Sequence, residues 1–334
     1  MNSRERYLAT MQGATPDHVP YFEEGIRAEV YEAWRRKGFP PEVFSNAKFS
    51  TDLREEIELD LDPHPRPRRW PTSRADLRDF ARRLNPDDPR RLPANWRELR
   101  LRWKNRDHVL MFRVHDGFFL TMGVGDWQRF HELMSLVHDD PGFVREAMER
   151  QGQFAARLTE RALEEVEIDS AIFNEPIGAN HGPLISPRMY ADLILPSYRP
   201  VLEVLRRHHV EVVILRTYAN ARALIPALLK SGLDCLWACE VNTQAMDYRS
   251  LRQEYGRDLR LIGGIDLDVL RQDFKTIQEE VEQKVPPLLE QGAYVPLADG
   301  RVRKDIPPQN YLYYRKLLQK ITQPDQPPLA LSDL

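Results

Sequence analysis

Ionisable side chains recur in this sequence directly after apolar runs. Glu23-Glu24 follow the run that starts at His18, His115-Asp116 close Val109–Val114, and Asn174-Glu175 close Ile168–Phe173. Arg216-Thr217-Tyr218 close Val210–Leu215, and Glu240, Asp266 and Asp299 close three later runs. If each run is a strand of a parallel sheet, all of these residues fall at its carboxyl edge, where α/β enzymes keep their chemistry. Carboxylates crowded together raise one another's proton affinity, which suits acid/base work. Glu23, Glu175, Glu240 and Asp266 are therefore the candidates for moving protons. A strand leaving its sheet into solvent also ends on a polar residue, so a single member means little; the recurrence carries the expectation.

Arg216 stands apart in this set. A guanidinium does not lose its charge, so one placed behind Val212-Val213-Ile214-Leu215 requires an anion. Glu240 of the neighbouring run is one candidate partner, and a substrate carboxylate held through two parallel N–H bonds is the other. Arg27, Arg301 and Arg303 place further cations near the first and last runs. His115, with Asp116 as an orienting partner, His181, Tyr218 and Asp299 complete the candidate substrate contacts. His208-His209 end a helical pattern, where a cation suits the helix dipole, and read as structural. Cys235 and Cys239 lie on one face of a strand pattern but roughly 13 Å apart by strand rise, too far to share a metal. They read as small buried apolar residues. Gly263-Gly264 lacks the third glycine and following helix of a dinucleotide loop and reads as a close packing point.

The elements that must position these residues alternate in a regular rhythm from residue 108 onward. Strand-like runs at 109–115, 168–174, 210–216, 233–240, 259–266 and 293–299 are separated by helical patterns near 127–137, 141–166, 187–208, 220–231, 243–255, 274–291 and 308–321. A short helix at 2–13, a strand at 18–23, a helix at 28–37 and a helical stretch at about 94–104 precede them. Another strand is weakly written within 50–60, and Pro63, Pro65, Pro67 and Pro71 then forbid regular structure. Eight such strands specify a (β/α)8 TIM barrel with an N-terminal helix and irregular insertions in its first half. Fewer would give an open, doubly wound sheet. The chain is expected to form one domain over 1–324 with a C-terminal tail at 325–334.

Hydrophobic residues make up 42% of the chain and charged residues 30%, a globular composition, and the formal charge is −3. No excess of positive charge points to nucleic acid. The N-terminus lacks the apolar core of a signal peptide, and no stretch approaches the ~20 apolar residues of a membrane helix. Two cysteines make no disulfide framework. The expectation is a cytoplasmic protein with no membrane or nucleic-acid partner.

Several segments, in order along the chain, resemble the uroporphyrinogen-decarboxylase-like superfamily, which includes the decarboxylase and corrinoid-linked methyltransferases. They are Ser3–Ala9, Pro16–Pro20, Glu175-Pro176, Gly182–Pro187, Ser231–Asp234, Gly263–Asp266 and Asp305–Tyr311. The resemblance implies the barrel, a site at its mouth and often a homodimer. It also exposes departures. The decarboxylase carries an Arg-Gln-Ala-Gly-Arg-Tyr segment after strand one that grips porphyrinogen carboxylates; here the stretch is Glu23-Glu24-Gly25-Ile26-Arg27. The zinc methyltransferases carry His-x-Cys-Gly after strand five and a Cys or His after strand eight. Those positions fall on Arg216, Tyr218 and Gly300, which are not zinc ligands. The expected cofactor is accordingly none. The favoured reading is a metal-independent lyase, decarboxylating or transferring protons on a small anionic substrate. A methyltransferase with a corrinoid protein partner and an inactive binding barrel are the alternatives.

Overall fold

A computed structural model describes residues 1–45, 49–240 and 245–325. Two compact units interleave along the chain. One comprises Met1–Arg54, Asp107–Val109 and the chain from Cys235 onward; the other comprises Glu55–Arg106 and Leu110–Asp234. Each is built from strands alternating with helices, the expected α/β architecture.

The strands that lie in the second of these units, wholly or but for their first residue, follow the order Arg54–Glu58, Val109–His115, Ser170–Asn174, Val212–Thr217. The last three pair in parallel, with Met111 opposite Ser170, and Ser170 opposite Val212 through to Asn174 opposite Arg216. Their runs are apolar without alternation because both faces are covered: Leu110, Phe112, Ala171, Ile172, Phe173, Val212 and Ile214 are fully buried. Burying each large side chain among them contributes about 1.5–3 kcal/mol. Parallel pairing in this register puts the ends of successive strands side by side, so Asn174 and Arg216 meet at one edge. The helix Pro141–Leu163 packs along Leu195–Arg207 at Gly152, where a Cβ would lie 2.1 Å from the Ser197 carbonyl oxygen.

In the other unit Cys235–Ala238, Arg260–Gly263 and Tyr294–Val295 pair in parallel, with Cys235 opposite Arg260 and Leu261 opposite Tyr294. Single parallel bridges continue the pairing at Ile265–Ala298 and Ile26–Val302. Here the first expected strand needs correction. Residues 18–25 form no ladder. Pro20 has no N–H to contribute, and the segment is held by isolated bonds, Asp52 N–H to Tyr21 O at 2.9 Å and Val302 N–H to Gly25 O at 3.1 Å.

The helices fall near their expected positions, including Trp127–Asp139, Phe274–Gln291 and Pro308–Thr322. The stretch expected as one helix at 187–208 contains a π-helical turn at Tyr190–Ile194. The helix expected from 243 is found as Tyr248–Tyr255, and residues 241–244 lie outside the described residues. Among the described residues, two α-helices were not anticipated. Arg74–Ala81 starts in a capping box, Asp76 N–H to Ser73 Oγ at 3.3 Å and Ser73 N–H to Asp76 Oδ2 at 3.1 Å. Gly117–Thr121 is a single short turn. The proline-rich 63–71 segment is irregular, as its prolines dictate. Residues 326–334 of the expected tail lie outside the described residues. No helix among the described residues is long and apolar enough to cross a membrane.

Candidate functional site

The candidate residues gather in two clusters, one in each unit. In the unit holding Leu110–Asp234 the centre is Glu175, which is fully buried. Both of its oxygens accept from Phe118 N–H, at 3.0 and 3.1 Å. Tyr190 Oη donates to Oε2 at 3.4 Å and Tyr198 Oη makes a short bond to the same atom. Burial outweighs these bonds and pushes the Glu175 carboxyl up to about 7. The approach depends on Gly117, whose φ is +68° and whose absent Cβ would lie 2.6 Å from both Asn174 O and Glu175 Oε1.

His115 lies in the same cluster, its ring 5.7 Å from Phe173 in a stack and 4.6 Å from Tyr198. Its Nδ1 accepts from Gly117 N–H at 3.0 Å, so Nε2 carries the proton of the neutral ring. That Nε2 is buried without a hydrogen-bond partner. Burial holds the imidazole down to about 3, so His115 is neutral at any working pH. His115 and Asp116 line a cavity of about 20 Å³ with Asp62, Trp70 and Gln151. Such a cavity holds one water.

Arg216, on the adjacent strand end, reaches Glu56 Oε2 through Nη1 at 2.8 Å and Asn174 Oδ1 through Nε at 3.2 Å. Glu56 is a partner that the sequence did not nominate. Tyr218 is half-exposed beyond the same strand. His181 is exposed at the tip of a minimal antiparallel hairpin, Gly178–Ala179 with Gly182–Pro183.

In the unit holding the chain from Cys235, Arg27 Nη2 meets Glu240 Oε1 at 3.0 Å and Arg303 Nη2 faces Glu240 Oε2 at 3.5 Å. Glu240 N–H donates to the Asp299 carbonyl at 2.7 Å. Asp299 is buried, and its Oδ1 accepts from Leu267 N–H at 3.0 Å. Burial pushes its carboxyl up to about 7, against which the Leu267 bond acts. Asp266 caps the turn Leu267–Arg271 by accepting from Asp268 N–H at 2.8 Å. Arg301 is exposed. Glu23 points elsewhere: it is buried 3.6 Å from Arg315, whose guanidinium lies between the rings of Phe49, Tyr21 and Tyr311. Burial pushes Glu23 up to about 7 despite that cation. The clusters thus unite Glu175 with His115, and Glu240 with Arg27, Asp299 and Asp266, leaving Glu23, His181 and Arg301 aside.

The sequence model of the uroporphyrinogen decarboxylase (URO-D) family matches residues 120–310, more than half of the chain. The chain belongs to the URO-D family. No curated protein matches it. The match spans Glu175, Arg216, Glu240, Asp266 and Asp299 of the two clusters, whereas Arg27, Glu56 and His115 precede it.

The zinc positions of the methyltransferase branch do not fit a zinc ion in this URO-D chain. Arg216 is a cation already bonded to Glu56 and Asn174, Tyr218 offers a phenol, and Gly300 has no side chain. A Cβ at Gly300 would lie 3.1 Å from Glu240 Cγ, so Glu240 itself fills the space above it. Cys235 and Cys239 are buried, as small apolar residues are. His208 caps its helix and meets Glu160 Oε1 at 2.8 Å, the structural role expected of it.

Sequence reasoning missed Glu56, Tyr190, Tyr198 and Arg315. Tyr190 and Tyr198 are eight residues apart across a π turn, which breaks the helical spacing that would have shown a shared face. Glu56 lies on Arg54–Glu58, whose run Arg-Glu-Glu-Ile-Glu carries almost no apolar signal.

Proposed function

We propose that this URO-D family protein is an enzyme that acts, without the zinc of the methyltransferase branch, on a small molecule bearing a carboxylate. The reaction is of lyase type, decarboxylation or proton transfer beside a carboxylate. Asp299 carries the reading. It is a buried acid half-protonated near neutrality, in the same cluster as Arg27 and Arg303. A group poised there can give or take a proton at working pH. Guanidiniums nearby suit a substrate carboxylate. In a decarboxylation the bond to the departing carboxylate breaks, CO2 leaves, and the carbon that keeps the electron pair takes a proton from Asp299. The absence of an arginine-rich segment at 23–27 argues against a porphyrinogen as that substrate.

We further propose that the strands close into the (β/α)8 barrel of the superfamily. The Ile26–Val302 bridge, between the segment after the first run and the segment after the last, supports this closure.

The test is a panel of small carboxylic acids assayed for thermal stabilisation, CO2 release and solvent-deuterium incorporation, with Asp299→Asn beside the wild type. The reading expects one structural class of acid to stabilise both proteins, with turnover lost in Asp299→Asn by at least about a hundredfold. Methyl transfer to or from a corrinoid protein, with no acid turned over, would replace this reading with the methyltransferase one.

A further inference from the structure

Glu240 occupies an unusual position for a catalytic carboxylate. Its two oxygens face different guanidiniums, Oε1 that of Arg27 at 3.0 Å and Oε2 that of Arg303 at 3.5 Å. A bound carboxylate ligand would present itself to two arginines in this way. We propose that Glu240 is a resident carboxylate seated in an anion site made by Arg27 and Arg303, and that a ligand carboxylate binds there by displacing it. The inference rests on the reading of a carboxylate-bearing substrate and adds how that carboxylate is admitted.

Four observations support the displacement. The side chains of Arg27, Arg303 and Glu240 are 40%, 26% and 34% exposed, so a solute can reach the pair and half-exposed ion pairs of this kind hold weakly. The Arg303 contact at 3.5 Å is longer than a charge-assisted hydrogen bond, because the same guanidinium also serves Asp268 Oδ1 at 2.9 Å. A free ligand oxygen is not tethered to the backbone and can shorten that contact. Glu240 has a φ of +51°, a left-handed conformation uncommon for a residue with a Cβ, and its N–H is fixed to Asp299 O at 2.7 Å. Its backbone is thereby held in place while its side chain remains the movable part. Gly300, finally, gives the carboxylate its seat: a Cβ there would stand 3.1 Å from Glu240 Cγ and 3.2 Å from Oε1.

The surrounding charges set the selectivity. Asp268 bonds the Arg303 guanidinium at 2.9 Å, Asp299 lies within the field of Asp266, Asp268 and Arg303, and Arg271 bonds Asp268 at 3.1 Å and Asp305 at 2.7 Å. A bulky polyanion meets repulsion from these carboxylates, whereas a compact mono- or dicarboxylate places one group between Arg27 and Arg303.

Malonate is the probe, titrated calorimetrically into the full-length wild type and Glu240→Gln. Removing the resident charge frees both guanidiniums, so Glu240→Gln is expected to bind malonate about tenfold tighter or better, with the gain abolished in Glu240→Gln/Arg27→Gln/Arg303→Gln. Glu240→Gly, which suits the positive φ, provides a second variant and should show the same gain. Equal affinity in wild type and both Glu240 variants would overturn the inference, as would a gain that survives loss of both arginines. If organic acids still stabilise the wild type in that event, the displaced-carboxylate idea falls and the carboxylate-substrate reading stands. If no acid binds any of these proteins, both fall.

Discussion

Arg216 Nη1 and Glu56 Oε2 meet at 2.8 Å across 160 residues of sequence. The arginine near the end of the strand Val212–Thr217 is thereby satisfied from within its own unit, and it need not wait for a ligand to be neutralised. Arg216→Met leaves the Glu56 carboxylate, about three-quarters buried, without this partner. We expect a loss of about 1–3 kcal/mol, less than for a fully buried pair because water still reaches Glu56. Arg216→Met/Glu56→Met should recover most of it in urea unfolding. A double variant as unstable as the single one would mean that Arg216 answers to another anion.

Glu175 makes stability depend on pH near neutrality. Its folded carboxyl titrates at about 7 against an ordinary 4.5, so the folded state binds the extra proton between these values. Its contribution is full below about 4.5 and is lost as pH rises through about 7. Glu175→Gln removes this dependence. The stability difference between variant and wild type should therefore move in the variant's favour by on the order of 2–3 kcal/mol from pH 4.5 to pH 8. Parallel pH profiles for the two proteins would show that Glu175 is not held protonated.

His115 acts in the opposite direction. Folding pushes it down to about 3 from 6.5, so the unfolded chain binds the extra proton between these values. Its share of stability is present above about 6.5 and is lost as pH falls toward 3. His115→Phe sacrifices the acceptor of Gly117 N–H but cannot protonate. Wild type should lose on the order of 3 kcal/mol relative to this variant between pH 7 and pH 4. A constant difference over that range would contradict the neutral, buried imidazole.

Gly117 tests how tightly the Glu175 cluster is built. Gly117→Ala imposes a Cβ on a left-handed backbone and drives it to 2.6 Å from Asn174 O and Glu175 Oε1. The expected cost is at least ~2 kcal/mol, from backbone strain and displaced packing together. Gly300→Ala, at 3.1 Å from the more exposed Glu240 side chain, should cost clearly less, because that neighbour can move. Comparable melting losses for the two would refute the contrast.

The sequence by itself determined the alternation of strands and helices, because apolar runs of five to seven residues and helical spacing are local signals that no partner is needed to read. It determined with them that His115, Asn174-Glu175 and Arg216 stand at strand ends, since a parallel register aligns such ends automatically. It determined that the positions matching zinc ligands hold Arg216, Tyr218 and Gly300, which is a matter of residue type alone. Only the tertiary structure decided which charges meet. Arg216 with Glu56, Glu240 with Arg27 and Glu23 with Arg315 are contacts between distant segments. The composition offers far more arginine and carboxylate combinations of equal local merit than the fold can use. Only the fold decided that Glu23, Glu175 and Asp299 are carboxyls that keep their protons near neutrality, because desolvation depends on what packs around a group and not on its neighbours in sequence.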